Sequence, residues 1–104
     1  MGENYLPREE YSRIAKEYSK IKENIEKGNP NTASAEITAV LYDLDRIKLE
    51  EKNPEKIEAI QNLIEHFERL DKAIQGYIKG HKNRNKVLIR KKIETIDRIL
   101  EKAT

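Results

Sequence analysis

Between Pro54 and Lys79 the apolar residues recur at alternating steps of three and four: Ile60, Leu63, Phe67, Leu70, Ile74 and Tyr77. That spacing puts all six on one side of an α-helix. With Ile60 at position a of a heptad, Ile57, Ile64 and Ile78 fall at the adjoining e position. The stripe is then wide enough to touch two neighbouring helices. The segment reads as the central helix of a bundle. A chain of 104 residues has room for one domain with one core, and should bury roughly 60% or more of the surface it exposes when unfolded.

The same spacing recurs on three other segments. The first helix is announced by Pro7, Glu9 and Glu10, which suit the opening turn, and carries Tyr11, Ile14, Tyr18, Ile21 and Ile25 on one face. Gly28 offers the left-handed conformation that ends a helix, and Asn31 or Thr32 offers a cap for the next. The second helix shows Ala33, Ile37, Val40, Leu44 and Ile47, with Leu41 at the flank, and stops at Asn53–Pro54. So short a connection makes helices two and three antiparallel neighbours. After Gly80 comes a polar loop in which Asn83 or Asn85 would cap a fourth helix bearing Ile89, Ile93, Ile96, Leu100 and Ala103. The expectation is a single all-α domain over residues 1–104, an up-down-up-down four-helix bundle with helices over about 7–27, 32–52, 54–79 and 86–103. The alternative is a longer helical hairpin that completes its core by dimerising.

Composition removes several chemistries. Charged residues make up 38% of the chain, which is polar, but the regular apolar spacing argues against disorder. The absence of cysteine excludes disulfides, thiolate catalysis and cysteine-ligated metals. The two histidines are His66, at the border of the third helix's stripe, and His81, in the basic loop. No Glu-x-x-His pair exists to build the dimetal site some four-helix bundles hold. Ser12, Ser19 and Ser34 have no histidine at helical spacing, and the four glycines form no phosphate-cradling motif. The expectation is a protein that is not an enzyme and needs no cofactor. The opening residues lack a basic stretch followed by an apolar one, and Leu6 stands where a myristoylation motif has Ser or Thr. No apolar run approaches the roughly 20 residues that span a bilayer. A small, soluble cytoplasmic protein is expected.

Two residues at special positions need separate readings. Asp71 holds the one e position of the third helix without isoleucine, and reads as a solvated rim residue beside Lys72. Gly76 marks either a close helix crossing or a weakened last turn.

The net charge of +2 conceals a strong asymmetry. Residues 79–104 hold nine basic and three acidic groups, and Lys79, Lys82, Arg84, Lys86, Arg90, Lys91 and Lys92 form a run of seven cations with no carboxylate until Glu94. Lys79 and Lys82 complement the negative end of helix three. Lys86, Arg90, Lys91 and Lys92 crowd the first two turns of helix four, where the dipole favours acidic side chains. Local charge and local helix stability therefore disagree, as they do where an external anion supplies the missing charge. In an up-down bundle this segment shares a pole with the 28–31 connection and thus with Lys20, Lys22 and Lys27. Glu9, Glu10, Glu50, Glu51, Glu55 and Glu101 gather at the other pole.

The seven cations are the candidate anion-binding residues, and a nucleic-acid backbone is the first partner considered. Only Tyr77 lies nearby for base stacking, so contacts to phosphates would dominate. A second candidate is a protein interface. Ala35, Tyr42 and Leu49 recur every seven residues on the outer side of helix two, a narrow stripe suited to a second copy or a helical partner. In size, charge and helix count the chain is similar to bacteriocin immunity proteins, which implies action through a protein partner. The likeness carries over no residue.

Overall fold

The structure is a computed structural model that describes residues 5–103. The residues read above for lipidation and export begin at Met1 and Gly2, outside the described range. Four α-helices follow one another: α1 (Arg8–Glu26), α2 (Pro30–Glu50), α3 (Pro54–Ile78) and α4 (Lys82–Glu101). They form the expected up-down-up-down bundle, 41 × 20 × 19 Å. α1 packs on α2, α2 on α3 and α3 on α4, while the seam between α1 and α4 is the loosest.

The turns follow from residue chemistry. At one pole α1 and α3 end alike: Gly28 has φ +78° and Gly80 φ +112°, and the next amide turns back to a carbonyl five residues earlier, Asn29 to Asn24 and His81 to Gly76. Glycine takes this conformation without the Cβ clash that penalises other residues. At the other pole Asn53 Oδ1 accepts a hydrogen bond from the Glu55 amide at 2.9 Å, and Pro54 occupies the first helical position. Three starts differ from the sequence reading. α1 begins at Arg8, and Pro7 is the residue before it. α2 begins at Pro30, after Asn29, so neither Asn31 nor Thr32 is its cap. α4 begins at Lys82, four residues before the expected start, because Asn85 sits inside the helix and its amide bonds to the His81 carbonyl.

The four stripes meet in one core. Phe67 is fully buried at its centre, with Ile14, Ile21, Ile37, Leu44, Leu63 and Ile96 among the fully buried side chains. Truncating such a phenylalanine to alanine typically costs about 3–5 kcal/mol, a large part of a domain's stability. Tyr18 crosses the loose seam. Its ring meets Phe67 edge-on at 5.7 Å, and its hydroxyl lies 2.7 Å from Asp97 Oδ1 and 2.9 Å from the Ile93 carbonyl. Burial, and then the Asp97 carboxylate that accepts a hydrogen bond from its hydroxyl, push the Tyr18 phenol up. Lys22 Nζ closes the group, 3.2 Å from Asp97 and 4.6 Å from the Tyr18 ring centre.

Tyr5 and Leu6, before the first helix, are also buried. Burial pushes the Tyr5 phenol up to about 12. Asp71 is a half-buried link between helices: Ser34 donates to its Oδ1 at 2.6 Å, and Gln75 Nε2 donates to Ser34 Oγ at 2.7 Å. The rim reading holds for its position, but its partner is α2.

Along the α1–α2 seam two carboxylates have opposite environments. Arg46 holds Glu10 with two 3.1 Å hydrogen bonds, and that pairing keeps the Glu10 carboxyl below its ordinary range. Glu17, two turns later, has one oxygen buried without a hydrogen-bond partner; burial and the nearby Asp43 raise its pKa. A depressed pKa gives stability that is lost as pH falls through it, and a raised one gives stability that is lost as pH rises through it. Glu10→Gln is therefore expected to destabilise at pH 7, with the deficit shrinking on acidification. Glu17→Gln is expected to stabilise at pH 7, with the gain vanishing below about pH 4. Urea denaturation of the three proteins across pH reads both signs.

The Gly76 question is decided by geometry. A Cβ there would lie 2.6 Å from Asn85 Oδ1 and 2.8 Å from Cγ and Nδ2. Asn85 is 9% exposed and donates from Nδ2 to the His81 carbonyl at 2.8 Å, so it has little freedom to retreat. Gly76 marks a close crossing of α3 and α4. Gly76→Ala is expected to destabilise by about 1–3 kcal/mol through overpacking. In an Asn85→Ala background the same change should stabilise by up to about 1 kcal/mol, the helix-propensity gain. Denaturant midpoints measure this reversal of sign.

Candidate functional site

The start of α4 lacks both an acidic first turn and a side-chain cap. Since the first helical hydrogen bond is made by the Asn85 amide, the amides of Lys82, Asn83 and Arg84 have no partner within the helix. Partial positive charge from these amides adds to that of the cationic side chains. The facing end of α2 repeats the situation, with Pro30 in first place and no acidic residue in its first turn.

The seven cations are distributed around the helix as a collar. Lys79, Lys82, Arg84, Lys86, Arg90 and Lys91 are exposed and Lys92 is half-buried. Lys82 Nζ lies 5.7 Å from the centre of the Tyr77 ring, a cation–π contact that uses the single aromatic near the loop. Lys86 and Arg90 turn towards α1. With Ile25, Ile74, Ile89 and Ile93 they line a groove of about 480 Å³, which also carries Glu26 and Glu94 and reaches Gly28 and Pro30. Lys92 turns towards α3, where burial, followed by Arg69 and Lys92, holds the His66 imidazole below its ordinary pKa. His66 is half-buried at the core's border, with Nδ1 lacking a hydrogen-bond partner. Arg84 and Lys91 lie near the outward-facing Val87 and Leu88, which are 49% and 39% exposed. None of the seven forms an ion pair with a carboxylate of a described residue.

Two of the three cations expected to join this pole from α1 are paired elsewhere. Lys22 is paired with Asp97, and Lys27 lies 3.2 Å from Glu23 on its own helix. The antiparallel α1–α4 seam puts Asp97 within reach of Lys22, a meeting that residue spacing within either helix does not reveal. The positive field of the pole therefore comes chiefly from 79–92.

The outer stripe of α2 lies where the heptad placed it. Ala35 is exposed, Tyr42 is 75% exposed and Leu49 86%. Sequence reasoning missed the exposed pair Val87 and Leu88, although helical periodicity puts Val87 opposite Asn85, Ile89 and Ile96 and Leu88 at the edge of that face. Among the described residues no cluster of three metal-binding side chains occurs, and no helix is long and apolar enough to cross a membrane. Compared with known proteins, the chain matches no family model, no curated protein and no solved structure.

The uncapped start of α4 sets stability against anion binding at one place. His81→Asp would cap the free amides and offset the dipole, and is expected to stabilise by about 1 kcal/mol. The same variant should bind anions more weakly than the parent. Thermal unfolding together with retention on a heparin column reads both effects.

Proposed function

We propose that the protein is a non-catalytic, cytoplasmic binding module that docks onto a closely spaced array of phosphates through the basic end of α4. The observation that carries this reading is the conjunction of three unpartnered helix amides with seven cations that have no carboxylate partners among the described residues. A solvated helix end gains stability from acidic residues, and this one has none in its first turn. The collar shape favours contact with an extended polyanion over a pocket for one ion, because Lys86, Lys91 and Lys92 diverge from one another. A nucleic-acid backbone has the required charge spacing, and contacts to phosphates position a protein without reading sequence.

The test is binding to a fluorescent duplex in rising salt. Affinity is expected to fall steeply with salt concentration, and Arg90→Glu with Lys91→Glu should abolish the binding while helicity by circular dichroism is unchanged. Heparin retention with the same variants extends the test to polyanions in general. A parent protein that binds neither at low salt overturns the reading.

A second reading rests on Tyr42 and Leu49, whose exposure is high for large apolar residues. A second copy or a helical partner seated on Ala35, Tyr42 and Leu49 would cover them. Leu49→Asp is then expected to lower the mass measured by light scattering or to lose a captured partner, while thermal stability changes little.

A further inference from the structure

Val87 and Leu88 stand in the middle of the cationic collar, and the polyanion reading leaves them unexplained. Their neighbours three or four positions away on the helix are Asn83, Arg84, Asn85, Arg90, Lys91 and Lys92, and α4 carries no carboxylate before Glu94. Two aliphatic side chains exposed inside a field of one sign gain nothing from a nucleic-acid backbone, which offers them only charged oxygens and sugars. An anionic bilayer offers phosphates for the cations and, just beneath them, an apolar layer for the aliphatics.

We propose that this face of α4 docks on the surface of an anionic phospholipid bilayer. Val87 and Leu88 enter the boundary between headgroups and acyl chains, and Arg84, Arg90 and Lys91 meet lipid phosphates. The inference rests on the reading of the basic end as a phosphate-binding site and names the source of the phosphates. Two further observations favour lipid. None of the seven cationic side chains is held by a hydrogen bond to another described residue, so they match headgroups that rearrange rather than a fixed pattern of charges. Moreover, Val87 lies on the outer side of the helix and Leu88 on the flank away from the groove towards α1, and a fluid interface receives such a protruding surface without a matching cavity.

The test uses the full chain with vesicles of phosphatidylcholine alone, vesicles of phosphatidylcholine mixed with phosphatidylglycerol, and a DNA duplex. Co-sedimentation is expected with the mixed vesicles only and should weaken with salt. Val87→Ser with Leu88→Ser is expected to reduce vesicle binding roughly tenfold, the loss of about one aliphatic side chain's burial, and to leave duplex binding unchanged. Because the chain has no tryptophan, Val87→Trp supplies a clean reporter: its emission should shift to the blue with mixed vesicles and stay put with duplex. Vesicle binding that survives the double serine variant, or a tryptophan emission that vesicles do not move, overturns the lipid assignment. Duplex binding without vesicle binding overturns it too, but leaves the phosphate reading standing; absence of both removes the two together. A light-scattering mass that falls in the serine variant without any lipid would identify a second copy as the occupant, and also overturns the proposal.

Discussion

The bundle depends on four apolar stripes converging at Phe67. Each helix has one such stripe and a solvated remainder, so no helix can satisfy itself and no pair buries both faces of α3. The double-width stripe of α3, running through Ile60, Phe67 and Ile74 with Ile64 beside it, requires neighbours on two sides. α2 and α4 meet that need, and α1 closes the ring through Tyr18. Tyr18 is well suited to the place: its ring supplies apolar area against Phe67, and its hydroxyl reaches a polar partner at the seam. The seam is loose elsewhere, which is why a groove opens between Ile25 and Ile93.

Closing the ring also sorts some of the charges. Lys22 is drawn to Asp97, and Arg46 and Arg13 to Glu10 and Asp43, so carboxylates along the α1–α2 and α1–α4 seams meet cations from the neighbouring helix. The start of α4 differs, because helix dipole and side-chain charge have the same sign there. A folded domain tolerates this because burial of Ile89, Ile96 and Leu100 holds the helix in place whatever its first turn contains. The same burial turns Val87 away from the core, so that an aliphatic residue and its cationic neighbours share the outer surface.

Much of the fold was legible because helical periodicity is a local property. Ala33, Ile37, Val40, Leu44 and Ile47 occupy the core as their spacing implied, and Gly28 and Gly80 end helices where a left-handed residue was needed. Capping was less legible, since any Asn near a helix start can serve, and Asn85 is used instead to fill the crossing against Gly76. Tyr5 and Leu6 were missed because they precede the first helix and have no period to announce them. Of the candidate site, the cation run and the outward stripe Ala35, Tyr42 and Leu49 could be read directly. How the cations fan out around α4, and which α1 lysines are already paired, could not.

The sequence by itself determined four amphipathic helices, their turns and a surplus of positive charge after residue 79, because each of these depends on residues within a few turns of one another. Only the tertiary structure decided that Gly76 admits Asn85, that Asp71 is linked to Ser34, that Lys22 faces Asp97 and that Glu17, half-buried, lies beside Asp43. Each of these joins residues on different helices, and their meeting depends on the rotation and offset with which the helices pack, which a single stripe of apolar side chains leaves free.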